Sequence, residues 1–96
     1  MKKKTKKLDV PDKFPLVYIE WIDAESACGW EDREGLDKWI NKDFIVNDIG
    51  WKVSENDKYV LICNQIASDG DFGNRTRIPK AWIKKLQRVT LTKRKK

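Results

Sequence analysis

The sequence lacks histidine altogether, and its 96 residues include only two cysteines, Cys28 and Cys63. Histidine is the commonest general base and the commonest metal ligand. Its absence excludes Ser-His-Asp and Cys-His nucleophile systems, and two cysteines far apart in sequence cannot form a zinc site. Glycine-rich phosphate-binding motifs are also absent. We therefore predict a binding protein that is not an enzyme, with no metal and no other cofactor.

Long apolar runs are absent as well. No stretch of about 18 apolar residues is present, which excludes a transmembrane helix. The N-terminal segment MKKKTKKLDVPDK is charged but lacks the apolar core of a secretory signal. We expect a cytoplasmic protein without a membrane partner, in which both thiols stay reduced.

Acidic residues are absent after Asp71. Residues 72–96 carry ten Lys and Arg, whereas residues 8–71 carry all fifteen acids and only six bases, a net charge of −9. Five lysines at residues 1–7 complete the overall charge of +6. Such polarity predicts that an anionic ligand binds near the C-terminus, and it can also orient an oppositely charged neighbouring subunit.

Apolar residues in alternation predict five short strands. In the first strand, Val17, Ile19 and Trp21 share one face. The apolar spacing in residues 31–42 predicts a short amphipathic helix, and residues 80–86 predict a helical turn. The strands are expected at 16–23, 44–54, 58–65, 75–79 and 87–92.

Short strands with an antiparallel hairpin and a helical turn before the last strand are typical of a small, bent, five-stranded SH3-like or Sm-like barrel. The alternative is an α+β fold, an antiparallel sheet with one helix. We predict one mainly β domain over residues 11–92. Basic tails at 1–10 and 93–96 are expected to be disordered, because a lysine run buries nothing.

The second predicted strand carries an apolar stripe of Ile49, Trp51 and Val53. This stripe predicts a core-facing side, with Trp51 in the core. Gly50 within the same strand predicts a bulge or a sharp bend.

The candidate binding site combines cations with an aromatic ring near the C-terminus. Phosphates attract cations, and bases stack on aromatic or guanidinium planes. In the alternative interpretation, Trp82, Ile83 and Leu86 anchor the core while the cations are merely solvated. The candidate ligand-binding residues are Arg75, Arg77, Lys80, Trp82, Lys84, Lys85 and Arg88.

Three segments, VYIEWIDAES followed by GW, FIVNDIGWKVSENDKYVLI and RIPKAWIKKLQRV, resemble those of small, mostly uncharacterised proteins from bacteriophages and prophages. In that group a W-x-D strand precedes a GW-x-V hairpin and a closing IPK-x-x-I segment. The resemblance covers residues 16–91. It implies a compact phage-encoded accessory protein in the cytoplasm of the host bacterium, and it implies no catalytic residue.

The sequence thus predicts a phage accessory protein that binds an anionic ligand, nucleic acid first, through a basic C-terminal face. One alternative is an anti-defence protein that inhibits a host immune protein or sequesters a small signalling nucleotide with Arg75, Arg77, Trp82 and Trp30. Another is a structural or protein-interaction module. In a homo-oligomer, the basic edge of one subunit would meet the acidic edge of the next.

Overall fold

The computed structural model describes residues 5–7, 13–90 and 92–94. One helix, α1 (Arg33–Ile40), lies between the first two strands of the main sheet, and a 3₁₀ turn (Lys80–Trp82) precedes its last strand. A separate two-stranded ladder pairs β1 (Thr5–Lys7) with β7 (Thr92–Arg94). The strands of the main sheet are β2 (Leu16–Asp23), β3 (Phe44–Glu55), β4 (Tyr59–Ile66), β5 (Phe72–Pro79) and β6 (Ile83–Arg88).

The main sheet is antiparallel and open, with the strand order β5-β4-β3-β2-β6. This confirms the mainly β class with one short helix. The edge strands β5 and β6 are joined by only the three residues of the 3₁₀ turn, which span about 6 Å. Four interstrand gaps in a flat sheet would separate those edges by about 19 Å. The sheet must therefore bend strongly, although it is not closed.

The bend encloses one side of the sheet, here called the inner face. Val17 and Ile19 from β2 meet Val60, Ile62 and Ile78 from β4 and β5 in one buried cluster. This confirms the predicted orientation of β2. Burying each of these side chains contributes about 1.5–3 kcal/mol, so the inner face is the main source of stability.

Gly50 lies on the inner face, opposite Val17. A Cβ added there would lie 2.7 Å from the backbone oxygen of Cys63 in β4. The glycine is thus needed for close approach of two backbones. The irregularity in the β3–β4 pairing comes slightly later, between Lys52 and Ser54.

The prediction that Ile49 and Trp51 form a core stripe was wrong. Ile49 pairs with Tyr18, on the side opposite to Gly50, here called the outer face. Ile49 is 58% exposed, and Trp51 is half-buried on the same face. The reason is that Gly50 occupies the position of β3 opposite Val17, so side chains of β2, β4 and β5 fill the core at this point.

The end of the sheet also differs from the prediction. Of the residues 80–86 predicted to form a helical turn, only Lys80–Trp82 are helical. The last strand, β6, covers Ile83–Arg88 instead of the predicted 87–92. Pairing of Ile83 with Trp21 and of Leu86 with Ile19 outweighs the local helical pattern, because packing context routinely overrides propensity. Residue 91, expected in this strand, lies outside the described residues.

β1 falls within the segment assigned to the N-terminal basic tail, and β7 overlaps the C-terminal one but begins one residue earlier, at Thr92. Their ladder places Lys6 directly opposite Lys93 and Thr5 opposite Arg94. The remaining tail lysines at positions 2, 3, 4, 95 and 96 lie outside the described residues. No helix in the described part of the chain has the length and apolar character to cross a membrane.

Candidate nucleic-acid interface

The seven predicted site residues are all exposed, but they do not form a single cluster. Two of them, Arg75 and Arg77, lie on the edge strand β5. Lys80 and Trp82 belong to the 3₁₀ turn, and the other three lie on the opposite edge strand β6. β5 and β6 are not paired with each other. The distance between the arginines of β5 and the cations of β6 is therefore set by the bend of the sheet.

Arg75 and Arg77 point to the outer face, because they pair with Cys63 and Leu61 of β4. Alternate residues of a strand share a face and are about 7 Å apart along it. Two guanidinium groups are thus presented side by side. Among residues 13–90, neither arginine is in a salt bridge.

The guanidinium carbon of Arg77 lies 4.6 Å from the centroid of the Tyr59 ring. Tyr59 begins β4 and pairs with Pro79 on the outer face. A cation at this distance is attracted by the ring quadrupole, so Tyr59 holds the guanidinium in a preferred place. Sequence reasoning missed Tyr59 because it lies in the preceding strand of the hairpin. The sequence signal that could have identified it is strand alternation, which places Tyr59 on the same face as Leu61, the residue opposite Arg77.

The outer face of β4 and β5 carries no carboxylate at its paired positions. Besides the arginines and Tyr59, those positions hold Leu61, Cys63, Gln65, Gly73 and Pro79. Phosphate groups would therefore meet no like charge from these strands. We call this surface, defined by Tyr59, Arg75 and Arg77, the arginine face.

Lys80 forms an ion pair within the protein. Its Nζ lies 2.8 Å from Glu55, and Lys52 lies 2.6 Å from the other oxygen of the same carboxylate. These lysines, Lys52 first, lower the pKa of Glu55 to about 2. Lys80 is thus partly neutralised and contributes less to an anion site than its position in the sequence suggests.

Trp82 stacks on Trp21, with ring centroids 6.3 Å apart and 18° between the planes. Trp21 belongs to the inner face and donates from Nε1 to Asp48 at 2.8 Å. Trp82 is therefore placed apart from the arginine face, and the anchoring interpretation fits it better. Ile83 also packs on the core, whereas Leu86 is exposed.

The cations of β6 lie in a mixed environment. Lys85 is opposite Glu20 on the outer face, and Arg88 is opposite Val17. Glu20 also accepts a hydrogen bond from the Tyr18 hydroxyl at 3.1 Å. Burial raises the pKa of Tyr18, and that bond to Glu20 raises it further. This strand is less favourable for phosphate than β5, because a carboxylate faces Lys85.

Trp30, the further residue considered for nucleotide capture, is fully exposed. A groove of about 490 Å³ lies between α1 and the adjoining ends of β2 and β3, with Asp23, Glu25 and Asp43 among its lining residues. Its four carboxylates outnumber its two cations, Arg33 and Lys42, so the net charge of the lining disfavours a nucleotide. In the described part of the chain, no three His, Cys, Asp or Glu side chains come together as a metal site.

Comparison of the chain with protein families, with curated proteins and with solved structures finds no match.

Proposed function

We propose that the protein binds single-stranded nucleic acid through the arginine face. The observation that carries this proposal is the Arg77–Tyr59 contact beside Arg75, on a surface of two strands without a carboxylate. Cations attract phosphates, and planar groups offer a stacking surface to bases. The activity is non-enzymatic recognition of a polyanion.

Single strands suit this surface better than duplexes. Bases in a duplex are already stacked and show only their edges in the grooves, whereas unstacked bases can lie on tyrosine or guanidinium planes. The eight residues of β5 give a strand about 26 Å long. That length allows several nucleotides to contact the face.

The β1–β7 ladder adds support for a polyanionic ligand. Backbone pairing of residues 5–7 with residues 92–94 joins two segments of the chain that contain Lys and Arg but no acid. Basic segments attract phosphates whatever the base sequence.

We also propose that the bent sheet is an SH3-like barrel left open between β5 and β6. The strand order and the 3₁₀ turn before β6 support this class over a flat α+β sheet. The setting we propose is that of a phage accessory protein in the bacterial cytoplasm, in line with the resemblance of residues 16–91.

Fluorescence anisotropy tests the proposal with single-stranded DNA and RNA of about 20 nucleotides, a duplex of equal length, and mononucleotides and dinucleotides. Each is titrated at about 50 and about 200 mM salt. The key variant is Arg75→Ala/Arg77→Ala. Its matched control is Arg33→Ala/Lys38→Ala, which removes two exposed cations from α1 and changes the net charge equally.

The key variant should bind single strands at least about tenfold more weakly, and its log K against log salt should be flatter by about 1.4. The control should stay within about twofold of the parent. Equal effects of both variants would overturn the proposal. Saturation by a small nucleotide without length dependence would favour the anti-defence alternative, and no binding by any probe would favour a protein-interaction module.

A further inference from the structure

Helix α1 exposes its apolar side. Leu36, Trp39 and Ile40 recur at helical spacing and are 44%, 38% and 82% exposed. No residue of the helix is buried. Amphipathic helices normally owe their stability to packing of this side, so α1 as it stands lacks the contact that its pattern implies.

The local interactions of α1 are weak. Asp32 caps the helix by accepting from the Gly35 N–H at 2.8 Å, and Trp39 Nε1 donates to Glu25 at 3.0 Å. Its two ion pairs are exposed, and each such pair contributes about 0.3–0.5 kcal/mol. An isolated helix shorter than about 12 residues is marginal in water. A partner that covers the apolar side would stabilise it.

The groove beside α1 shows what kind of partner fits. Its apolar part consists of Leu36, Trp39 and Ile40 of the helix together with Ile22 and Phe44 from the ends of β2 and β3. The groove is also lined by Asp23, Glu25 and Asp43 and by one further cation, Lys42, while Arg33 is engaged by Asp37 at 3.2 Å. The lining therefore keeps a net negative charge. The fitting partner is therefore apolar and cationic.

The same chain carries such a surface. Trp82 and Leu86 are each 41% exposed, and the cations Lys84, Lys85 and Arg88 are exposed beside them in sequence. We call these five residues the basic edge. Leu86 is exposed although it pairs with the buried Ile19, because β6 is an edge strand.

We propose that the α1 groove of one copy receives the basic edge of a second copy. The groove and the Trp82 end of the basic edge lie at the same end of β2, since Ile22 and Asp23 line the groove and the neighbouring Trp21 stacks on Trp82. From there the basic edge runs along β2 to Arg88, opposite Val17. In a two-fold dimer both copies use the same surface. Each groove can then receive the other copy's basic edge, which gives two equivalent contacts.

This dimer goes beyond nucleic-acid binding and is independent of it. Arg75 and Arg77 lie outside both surfaces, so their substitution should leave the dimer intact. The two proposals can therefore fail separately.

Light scattering and sedimentation test the dimer, with the whole chain at about 10 to 300 µM and at low and high salt. We expect twice the chain mass of 11.3 kDa at the higher concentrations. Three variants identify the interface: Ile40→Asp, the groove swap Asp37→Lys/Asp43→Lys, and the edge swap Lys84→Glu/Arg88→Glu. All the altered side chains are exposed, and circular dichroism checks that each variant is folded.

Each variant alone should dimerise at least about tenfold more weakly. An equimolar mixture of the two swap variants should dimerise again, because each mixed contact pairs opposite charges. A parent that stays monomeric at every concentration would overturn the proposal. So would a dimer that none of the variants weakens, or a mixture that remains monomeric.

Discussion

The indole rings of Trp21 and Trp82 stack with their centroids 6.3 Å apart. Trp21 belongs to β2, whereas Trp82 ends the 3₁₀ turn that connects the two edge strands. Trp21 also donates to Asp48 in β3 at 2.8 Å. One aromatic pair thus ties together two strands of the sheet and the turn by which β5 passes into β6.

Trp82→Ala should therefore destabilise the fold by about 1–3 kcal/mol through lost stacking and apolar burial. Urea unfolding, followed by circular dichroism, measures the change. Affinity for single-stranded DNA should stay within about twofold of the parent, because Trp82 is apart from the arginine face. Unchanged stability together with lost affinity would instead assign Trp82 to the nucleic-acid contact.

The two faces of the sheet can be distinguished by isoleucine truncation. Ile19→Ala removes a buried side chain of the inner-face cluster and should cost about 2–5 kcal/mol. Ile49→Ala acts on an exposed side chain of the outer face and should cost less than about 1 kcal/mol. Chemical denaturation of both variants gives the comparison, and similar costs would contradict the assignment of faces.

The sequence predicted β2 well and the inward side of β3 wrongly, for one physical reason. In β2 the apolar residues Val17 and Ile19 face the core. In β3 the core-facing position is Gly50, which lets two backbones approach, so the apolar Ile49 and Trp51 are left on the outer face. Alternation shows that a strand has two sides, but it does not show which side faces the core.

Gly50→Ala should destabilise the protein by about 1–3 kcal/mol. The added Cβ would lie 2.7 Å from the Cys63 carbonyl oxygen, which is fixed in β4. Gly73→Ala is the matched control, because its shortest contact, also 2.7 Å, would be with Oε1 of Gln65, the end of a flexible side chain; its next contact, with the Gln65 Cβ, would be 3.2 Å. Thermal unfolding should show a clear loss for the first variant and a small one for the second.

Acid should weaken the fold partly through Glu55. Lys52 and Lys80 lower its pKa from 4.5 to about 2 in the folded protein. A lowered folded-state pKa adds stability above the unfolded pKa, and that stability is lost as the pH falls through the folded value.

Melting temperatures of the parent and of Glu55→Gln, measured from about pH 6 down to about pH 2, test this linkage. The parent should be the more stable at the upper end, and the difference should shrink between pH 4.5 and about 2. A difference that does not change with pH would exclude a role for this carboxylate in acid unfolding.

The candidate site was only partly predictable. Arg75 and Arg77 followed from their alternate positions after the last acid, Asp71. Tyr59 did not, because its contact with Arg77 depends on the β4–β5 register. Lys80 belonged to the predicted set, but its ion pair with Glu55 partly neutralises its charge. Ion pairs between distant residues leave no periodic signal in a sequence.

Tyr59 and Arg77 should affect nucleic-acid binding in different ways. Tyr59→Leu keeps an apolar side chain but removes the ring, so it should cost about 1–3 kcal/mol of binding free energy, the value of a stacked base. It removes no charge, and the slope of log K against log salt should stay the same. Arg77→Ala should weaken binding and also flatten that slope by about 0.7, because one phosphate contact is lost.

Because the guanidinium and the ring touch, the two substitutions should not be additive. The double variant should lose less free energy of binding than the sum of the single losses, by about 0.5 kcal/mol or more. Anisotropy titrations of the parent, both single variants and the double variant, at several salt concentrations, give the slopes and the coupling together. Strict additivity, or a changed slope for Tyr59→Leu, would show that the two residues do not act on the same nucleotide.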